Sequence, residues 1–264
     1  MIEGGRVRSL GLQMTYVGGP TALLEFGGVR LLTDPTFDAA GGEYRAASYV
    51  LRKTQGPAIR SDALGRLDAV LLSHDHHFDN LDTSGRQLLP RVGRVLTTEA
   101  GAGRLGPPAH GMAPWQSVEI PSPDKRVLRV TATPARHGPA HADRGPVIGF
   151  VLTFDDRPDD GVYLSGDTVW YEDLREISRK FSIRVAILFM GAARVAAVGP
   201  WHLTFTAGEG VEAAQAFKDA LIVPVHFEGW DHFSESRADI QAAFTEAKLG
   251  DRLRWLEPGR ATDL

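Results

Sequence analysis

The feature that most constrains this chain is a cluster of metal-ligand side chains directly after a predicted buried strand. Residues 68–73 form a nearly continuous apolar run, which is typical of a β-strand buried on both faces. Three of the nine histidines and three aspartates then fall within residues 74–82. Imidazole and carboxylate groups on a tight loop held by a rigid strand suit a divalent metal ion, whereas the alternative is a solvated polar turn. We therefore expect a metal site here.

Four more ligand-type side chains follow other predicted strands. The apolar runs at residues 127–132, 162–164, 183–190 and 221–225 are followed, respectively, by His137, Asp167, His202 and His226. One such residue alone would be read as a capping residue or a satisfied core side chain. The repeated order of strand and then ligand predicts that two sheets deliver their ligands to a shared edge.

Composition restricts the kind of site that the chain can carry. The sequence has no cysteine, which excludes disulfides, thiolate zinc sites, iron–sulfur clusters and cysteine nucleophiles. A chain of 264 residues buries roughly 75% of its unfolded surface and needs no metal merely to fold. A metal site in this chain is therefore expected to serve function.

Charge and hydropathy restrict the partners and the location. The formal net charge of −4 argues against a nucleic-acid partner, because polyanion binders usually carry a basic face. The apolar runs are too short to span a membrane, and residues 1–6 lack the pattern of a secretory signal. We expect a cytoplasmic protein that acts on a small molecule, and the sequence leaves homo-oligomer formation open. No linker divides the chain, which predicts one domain over residues 1–264.

Apolar runs separated by glycine- and proline-containing turns predict an α/β fold with two sheets. The predicted strands occupy residues 12–17, 21–26, 29–33, 68–73, 92–97, 127–132, 147–154, 162–164, 183–190, 221–225 and 253–256. The predicted helices span residues 81–89, 206–220 and 236–250, and the second begins with a capping box. Residues 35–60 are predicted to form an irregular surface loop over the site.

The order of these ligands resembles the metallo-β-lactamase superfamily. The sequence has a histidine-rich cluster, then a histidine, an aspartate and a histidine, each at a strand end. Two short motifs are typical of that family, Leu164-Ser165-Gly166-Asp167-Thr168 and Pro224-Val225-His226. The nearest likeness is to the branch of L-ascorbate-6-phosphate lactonases and N-acylphosphatidylethanolamine-type phospholipases. The resemblance covers nearly the whole chain and implies a four-layer αβ/βα sandwich with a metal site at one edge.

One departure from the family motif H-x-H-x-D-H leaves the register of the cluster open. Anchored at the strand, the motif selects His74 and His76 as ligands but places Phe78 at the aspartate position. A one-residue insertion instead selects His74, His77 and Asp79, and it places Asn80 at the final histidine. Because an amide is a poorer ligand than imidazole, this second alignment puts the second metal ion in doubt.

The resemblance also implies roles for the remaining ligands. His137 would bind the first metal ion, Asp167 would bridge two ions and His226 would bind the second. Asp79 would be both a ligand and a proton shuttle. Zinc is the default among one or two divalent ions, although manganese or iron would also suit the oxygen ligands. Such ions acidify bound water to a pKa of about 7, which implies hydrolysis.

Three classes of function follow from this site. The first is a metal-dependent hydrolase of a small ester, lactone or phosphoester; the second is a metal-dependent nuclease, which the acidic composition disfavours. The third is a redox or non-catalytic metal protein, disfavoured because di-iron relatives use a glutamate that residues 74–82 lack. Substrate contacts are predicted from Arg136, His202, Trp230 and His232. We expect an anionic ester, such as a phosphorylated lactone, whose charge would draw on Arg136 and on the loop cations Arg45, Arg52 and Lys53.

Overall fold

A computed structural model of the protein describes residues 10–46 and 48–264. Residues 1–6, on which the prediction about a secretory signal rests, lie outside the described residues. In chain order the strands β1 to β15 are Leu12–Gly18, Thr21–Phe26, Val29–Thr33, Glu43–Arg45, Val50–Arg52, Ala69–Leu71, Val95–Thr98, Ala109–Met112, Ser117–Pro121, Val127–Pro134, Ile148–Phe154, Arg157–Leu164, Ile183–Phe189, Leu221–Val225 and Ala261–Asp263. The helices α1 to α5 are Thr83–Leu88, Glu99–Leu105, Arg175–Lys180, Ala207–Ala216 and Arg237–Glu246.

The strands form two large sheets and a separate hairpin. The seven-stranded sheet has the order β15-β1-β2-β3-β6-β7-β8, and the six-stranded sheet has the order β14-β13-β12-β11-β10-β9. Strands β3, β6, β7 and β8 are parallel, as are β12, β13 and β14. Parallel strands place their carboxyl ends at the same edge, and this arrangement positions the loops that follow them.

The core confirms the predicted α/β sandwich of four layers. One apolar cluster joins the inner faces of the two sheets, with Leu24 and Leu71 contributed by the first and Val162 and Val225 by the second. A second cluster places α3, α4 and α5 against the outer face of the six-stranded sheet. A third places α1 against the other sheet. None of the helices in residues 10–46 and 48–264 is long and apolar enough to cross a membrane.

Most predicted strands form, but several segments differ from the prediction. Residues 35–60 contain the β4–β5 hairpin, and α2, α3, β8 and β9 were not predicted. The predicted strand at residues 253–256 is wrong, because Leu253 makes only an isolated bridge to Ile222. Its apolar residues reflect burial, since Leu256 belongs to the core between the sheets while Trp255 packs on the helical side. The last strand is instead β15, which pairs with β1.

A buried ion pair joins the β4–β5 hairpin to the loop that carries the histidine cluster. Lys53 Nζ lies 2.7 Å from Asp82 Oδ2, and the two side chains are 4% and 0% exposed. The same carboxylate accepts hydrogen bonds from the backbone amides of Phe37 and Asp38 and, as the helix cap of α1, from Gly85. Asp82 therefore holds the hairpin, the segment after β3 and the start of α1 together.

Replacing Lys53 with methionine is expected to lower the free energy of unfolding by roughly 3–5 kcal/mol, because Asp82 would keep a buried charge without its cation. Urea unfolding followed by circular dichroism measures the change. The matched control is Arg60→Met, which removes the cation of an exposed pair with Asp62 and should leave the free energy of unfolding nearly unchanged, because solvent screens that pair. Equal losses in the two variants would contradict this role for the buried pair.

Candidate metal centre

The carboxyl ends of strands from both sheets meet at one edge of the sandwich. Strands β10 and β12 are each antiparallel to β11, so they point in the same direction as β13 and β14. His137 follows β10, Asp167 follows β12 and His226 follows β14, while the histidine cluster follows β6 in the facing sheet. The folded topology therefore assembles side chains that are as much as 152 residues apart in sequence, from His74 to His226.

Three imidazoles form the first group of candidate ligands: His74, His77 and His137. The Nδ1 atom of His77 lies 2.9 Å from His74 Nε2 and 3.1 Å from His137 Nε2. His137 donates its Nδ1 hydrogen to the Leu203 carbonyl at 2.8 Å, which leaves its Nε2 as a lone pair in the neutral ring. A single hydrogen on His77 Nδ1 cannot be donated to both neighbouring Nε2 atoms. At least one pair of nitrogen atoms in this group therefore faces each other with lone pairs. These spacings approach the roughly 3.3 Å edge of a tetrahedral site with metal–nitrogen bonds of 2.0–2.1 Å.

Asp79, Asp167 and His226 form the second group. His226 Nε2 lies 3.4 Å from Asp167 Oδ1 and 3.5 Å from Asp79 Oδ2. The other oxygen of Asp167, Oδ2, faces the first group at 3.4 Å from His137 Nε2. Asp167 Oδ2 and His226 Nε2 are buried without a hydrogen-bond partner. Because buried polar atoms are normally satisfied, this donor set fits two divalent ions that share Asp167.

The geometry favours the inserted register of the histidine cluster. His76 donates its Nε2 hydrogen to the Arg144 carbonyl at 3.0 Å, so its ring lies outside both groups. Phe78, which the strand-anchored register places at the aspartate position, is 40% exposed. Asn80 donates its amide hydrogen to Asp167 Oδ1 at 3.3 Å, and its own Oδ1 is buried without a hydrogen-bond partner. The predicted ligand role of His76 therefore does not match its position, because the extra residue turns its side chain towards residue 144.

Burial and charge give the two groups opposite electrostatic character. Burial and the neighbouring imidazoles hold the pKa of His74 well below its usual value, and the same causes lower the pKa of His77 to about 3. Burial alone would lower the pKa of His226, but the carboxylates of Asp167 and Asp79 raise it to about 10. Burial opposes ionisation of Asp167, yet His226 and the other imidazoles hold its pKa below the usual range. His74 and His77 of the first group therefore favour the neutral form, whereas the second group carries ionised carboxylates.

A buried carboxylate that the sequence interpretation missed fixes the start of the histidine loop. Asp34 Oδ1 accepts the backbone amide of Ser73 at 2.6 Å, and Ser73 Oγ lies 2.9 Å from His74 Nδ1. The signal was present, since Asp34 directly follows β3 as the predicted ligands follow their own strands. Ser165, the other serine that precedes a site residue, accepts the Phe189 amide at 2.9 Å. These contacts orient the chain on which the ligands stand.

Backbone geometry at two site positions is unusual. Gly166 has a φ of 60°, and a Cβ atom there would lie 2.7 Å from the Ile148 carbonyl oxygen and 2.8 Å from Ser73 Cβ. Only glycine therefore allows the turn that presents Asp167. His226 has a φ of 55°, a conformation uncommon outside glycine, and its amide donates to the Gly19 carbonyl at 2.8 Å.

Of the four predicted substrate contacts, the structure brings only His232 against a candidate ligand. His232 Nε2 lies 3.1 Å from Asp79 Oδ2. His202 lies 3.1 Å from Glu209, and Trp230 packs in an apolar cluster with Tyr44. The Arg136 guanidinium lies 4.3 Å from the centre of the Tyr171 ring, and its Nε donates to the Gly138 carbonyl.

The loop cations predicted to serve an anionic substrate have partners of their own. Lys53 is paired with Asp82, Arg52 contacts Glu43 and Asp231, and Arg45 contacts Glu43. A cation that was not predicted, Arg144, is held beside the first group, because its backbone amide donates to the His137 carbonyl at 2.9 Å and its own carbonyl accepts from His76. Burial and the negative charge of Asp79 raise the pKa of Tyr49, and the positive charge of Arg144 opposes this shift.

Comparison with known proteins agrees with this architecture. The model of a family described as "Beta-lactamase superfamily domain" matches residues 29–227. A UPF0173 metal-dependent hydrolase from Pyrobaculum aerophilum is 27% identical over 253 residues, which cover 94% of this chain and 98% of the relative. The solved isothiocyanate hydrolase from Delia radicum gut bacteria has a TM-score of 0.80 at 22% identity, covering 96% of this chain and 99% of that one. A possible metal-dependent hydrolase from Veillonella parvula has a TM-score of 0.80 at 20% identity, with the same coverage. Both structures share the fold.

The register of the cluster predicts an unequal response to histidine substitution. His77→Ala should lower metal affinity as much as His74→Ala, because each removes a converging nitrogen, and both losses should exceed roughly 100-fold. His76→Ala should cost less than about tenfold, since only a contact to the Arg144 carbonyl is lost. Metal content after equilibrium dialysis measures the three affinities. A large loss for His76→Ala with little for His77→Ala would restore the strand-anchored register.

Proposed function

Because this chain belongs to the β-lactamase superfamily, we propose that it is a metal-dependent hydrolase that cleaves a small ester or lactone. The observation that carries the proposal is the pair of ligand groups that share Asp167 at the open edge of the sandwich. The relative from Pyrobaculum aerophilum, which spans nearly the same length, is named a metal-dependent hydrolase. Zinc suits the three imidazoles of the first group, while the oxygen-rich second group also suits manganese or iron.

The chain's own residues supply the proton chemistry around such ions. A bound divalent ion would acidify a water molecule and polarise the bond under attack. Burial would raise the pKa of Asp79, but the neighbouring imidazoles of His226 and His232 hold it well below its usual value. The Asp79 carboxylate is therefore ionised and able to accept a proton from the attacking water. Burial of the surrounding polar groups strengthens these interactions, because little solvent screens them.

The charges around the site support a substrate without a permanent charge. The four cations that the sequence nominated are engaged with Tyr171 or with carboxylates. An uncharged ester or lactone develops negative charge only during the reaction, so it needs no separate cation in the ground state. This choice keeps the lactonase activity that the resemblance implies, but it replaces the phosphorylated substrate with an uncharged one.

Arg144 supports a phosphoester as the second candidate substrate. Its backbone is hydrogen-bonded to the His137 carbonyl and to His76 beside the first ligand group, where its guanidinium could bind a phosphate oxygen. The related fold named an isothiocyanate hydrolase makes an isothiocyanate a third compound worth including in a substrate panel. A nucleic-acid substrate remains disfavoured by the net charge of −4, and a cytoplasmic location remains our prediction.

Removing the metal is expected to abolish hydrolysis. His137→Ala and Asp167→Ala should lower bound metal and ester hydrolysis together, while the far-ultraviolet circular dichroism spectrum stays nearly unchanged because the sheets do not depend on the ions. Elemental analysis and turnover of a panel of lactones and esters measure the two effects. His110→Ala, at an exposed position on β8, is the control and should change neither. Full activity in chelator-treated protein would overturn the proposed function.

Substrate charge is tested by neutralising the two arginines nearest the site. With an uncharged ester, Arg136→Gln and Arg144→Gln should change the Michaelis constant by less than about threefold, since each exposed or half-exposed charge contributes about 0–1 kcal/mol. Raising the ionic strength, which shortens the Debye length from about 30 Å to 3 Å, should have little effect. A preference for phosphoesters that is lost in Arg144→Gln and at high salt would favour the second candidate.

A further inference from the structure

The second ligand group lacks the histidine that ends the family motif. Asn80 occupies that position and turns its amide nitrogen towards Asp167 Oδ1, at 3.3 Å. An amide that donates to a ligating carboxylate contributes no lone pair to an ion from that nitrogen. The second group therefore has three candidate ligands, Asp79, Asp167 and His226.

A histidine from a different part of the chain reaches the same group. His232 lies in the segment between β14 and α5, and its side chain is 7% exposed. Its Nε2 atom is 3.1 Å from Asp79 Oδ2, the oxygen that His226 approaches at 3.5 Å from the other side. Two imidazoles of one segment thus converge on one carboxylate oxygen.

The backbone around His232 is fixed on both sides. The His232 carbonyl accepts the Arg194 amide at 2.8 Å, and Phe233 forms an isolated bridge with Ala193. On the other side, Trp230 bridges to Lys53, whose side chain is held by Asp82. Little freedom remains for the imidazole to leave Asp79, so its contact costs little conformational entropy in the folded protein.

We propose that His232 takes over the task of the missing motif histidine by holding Asp79 in place for the second metal ion. This inference rests on the proposed metal-dependent function and concerns the second ion of that same site. His232 donates its Nε2 hydrogen to Asp79 Oδ2 and is a positioning residue, because it does not belong to the group of atoms within 4.8 Å of one another. Outer hydrogen bonds to ligating groups typically change metal affinity 10- to 100-fold.

The test is a titration of chelator-treated protein with Zn²⁺ by calorimetry, which separates the first and second binding events. His232→Leu should weaken the second event 10- to 100-fold and leave the first within about threefold. His232→Gln should recover most of the loss, because the glutamine amide can donate from nearly the same position as Nε2. The matched control is His202→Leu, which removes an imidazole 3.1 Å from a carboxylate of Glu209 outside both groups and should change neither event.

The outcomes separate this inference from the function on which it rests. Absence of any Zn²⁺ binding in the wild-type protein would overturn both. Two normal binding events in His232→Leu would overturn the positioning role alone. Failure of His232→Gln to recover the second event would also overturn it, since a direct ligand, unlike a donor, is not replaced by an amide. A second event restored by adding Asn80→His to His232→Leu would support it, because a ligand at the motif position would then compensate.

Discussion

Asp167 belongs to the second ligand group and also faces the first, so the geometry of both groups depends on where its carboxylate points. One oxygen faces His137 and the other faces His226, so a shift of the side chain would break both groups at once. Its position is set by the turn at Gly166, which fits only without a side chain because two neighbouring strands pass so close. Asn80 adds a hydrogen bond to Oδ1. The two sheets therefore have to pack in one relative position for the site to exist.

The sequence predicts which kinds of side chain form the site better than it predicts which individual residue takes each position. Ligands at strand ends are predictable because the apolar run that makes a buried strand also determines where the strand stops. The register of His74, His76 and His77 is not predictable in this way, because one inserted residue changes which imidazole turns inward. Asp34 was missed although it follows a strand, since a carboxylate that binds backbone amides looks the same in sequence as a ligand.

Two errors in the predicted secondary structure arise where the burial of a segment does not match its strand pairing. Residues 253–256 are mostly apolar because they cross the border between two apolar clusters, not because they extend a ladder of hydrogen bonds. The hairpin at β4 and β5 was read as irregular because its strands are short, and long-range contacts such as Lys53 with Asp82 stabilise it. The cations of this segment that were predicted to bind substrate pair with carboxylates of the protein instead. The interpretation of residues 1–264 as one domain stays a prediction.

The charge balance of the centre explains why the nearby arginines are available for other contacts. The first group consists of imidazoles alone, of which His74 and His77 favour the neutral form, and only Asp79 and Asp167 bring negative charge to the ligand sets. Two divalent ions held by two carboxylates would leave a surplus of positive charge, and a bound ion is often the largest local charge in a site. That surplus would stabilise negative charge developing on a substrate oxygen without help from an arginine. Arg136 can therefore stack on Tyr171, and Arg52 can pair with Glu43, without loss to the chemistry proposed for the site.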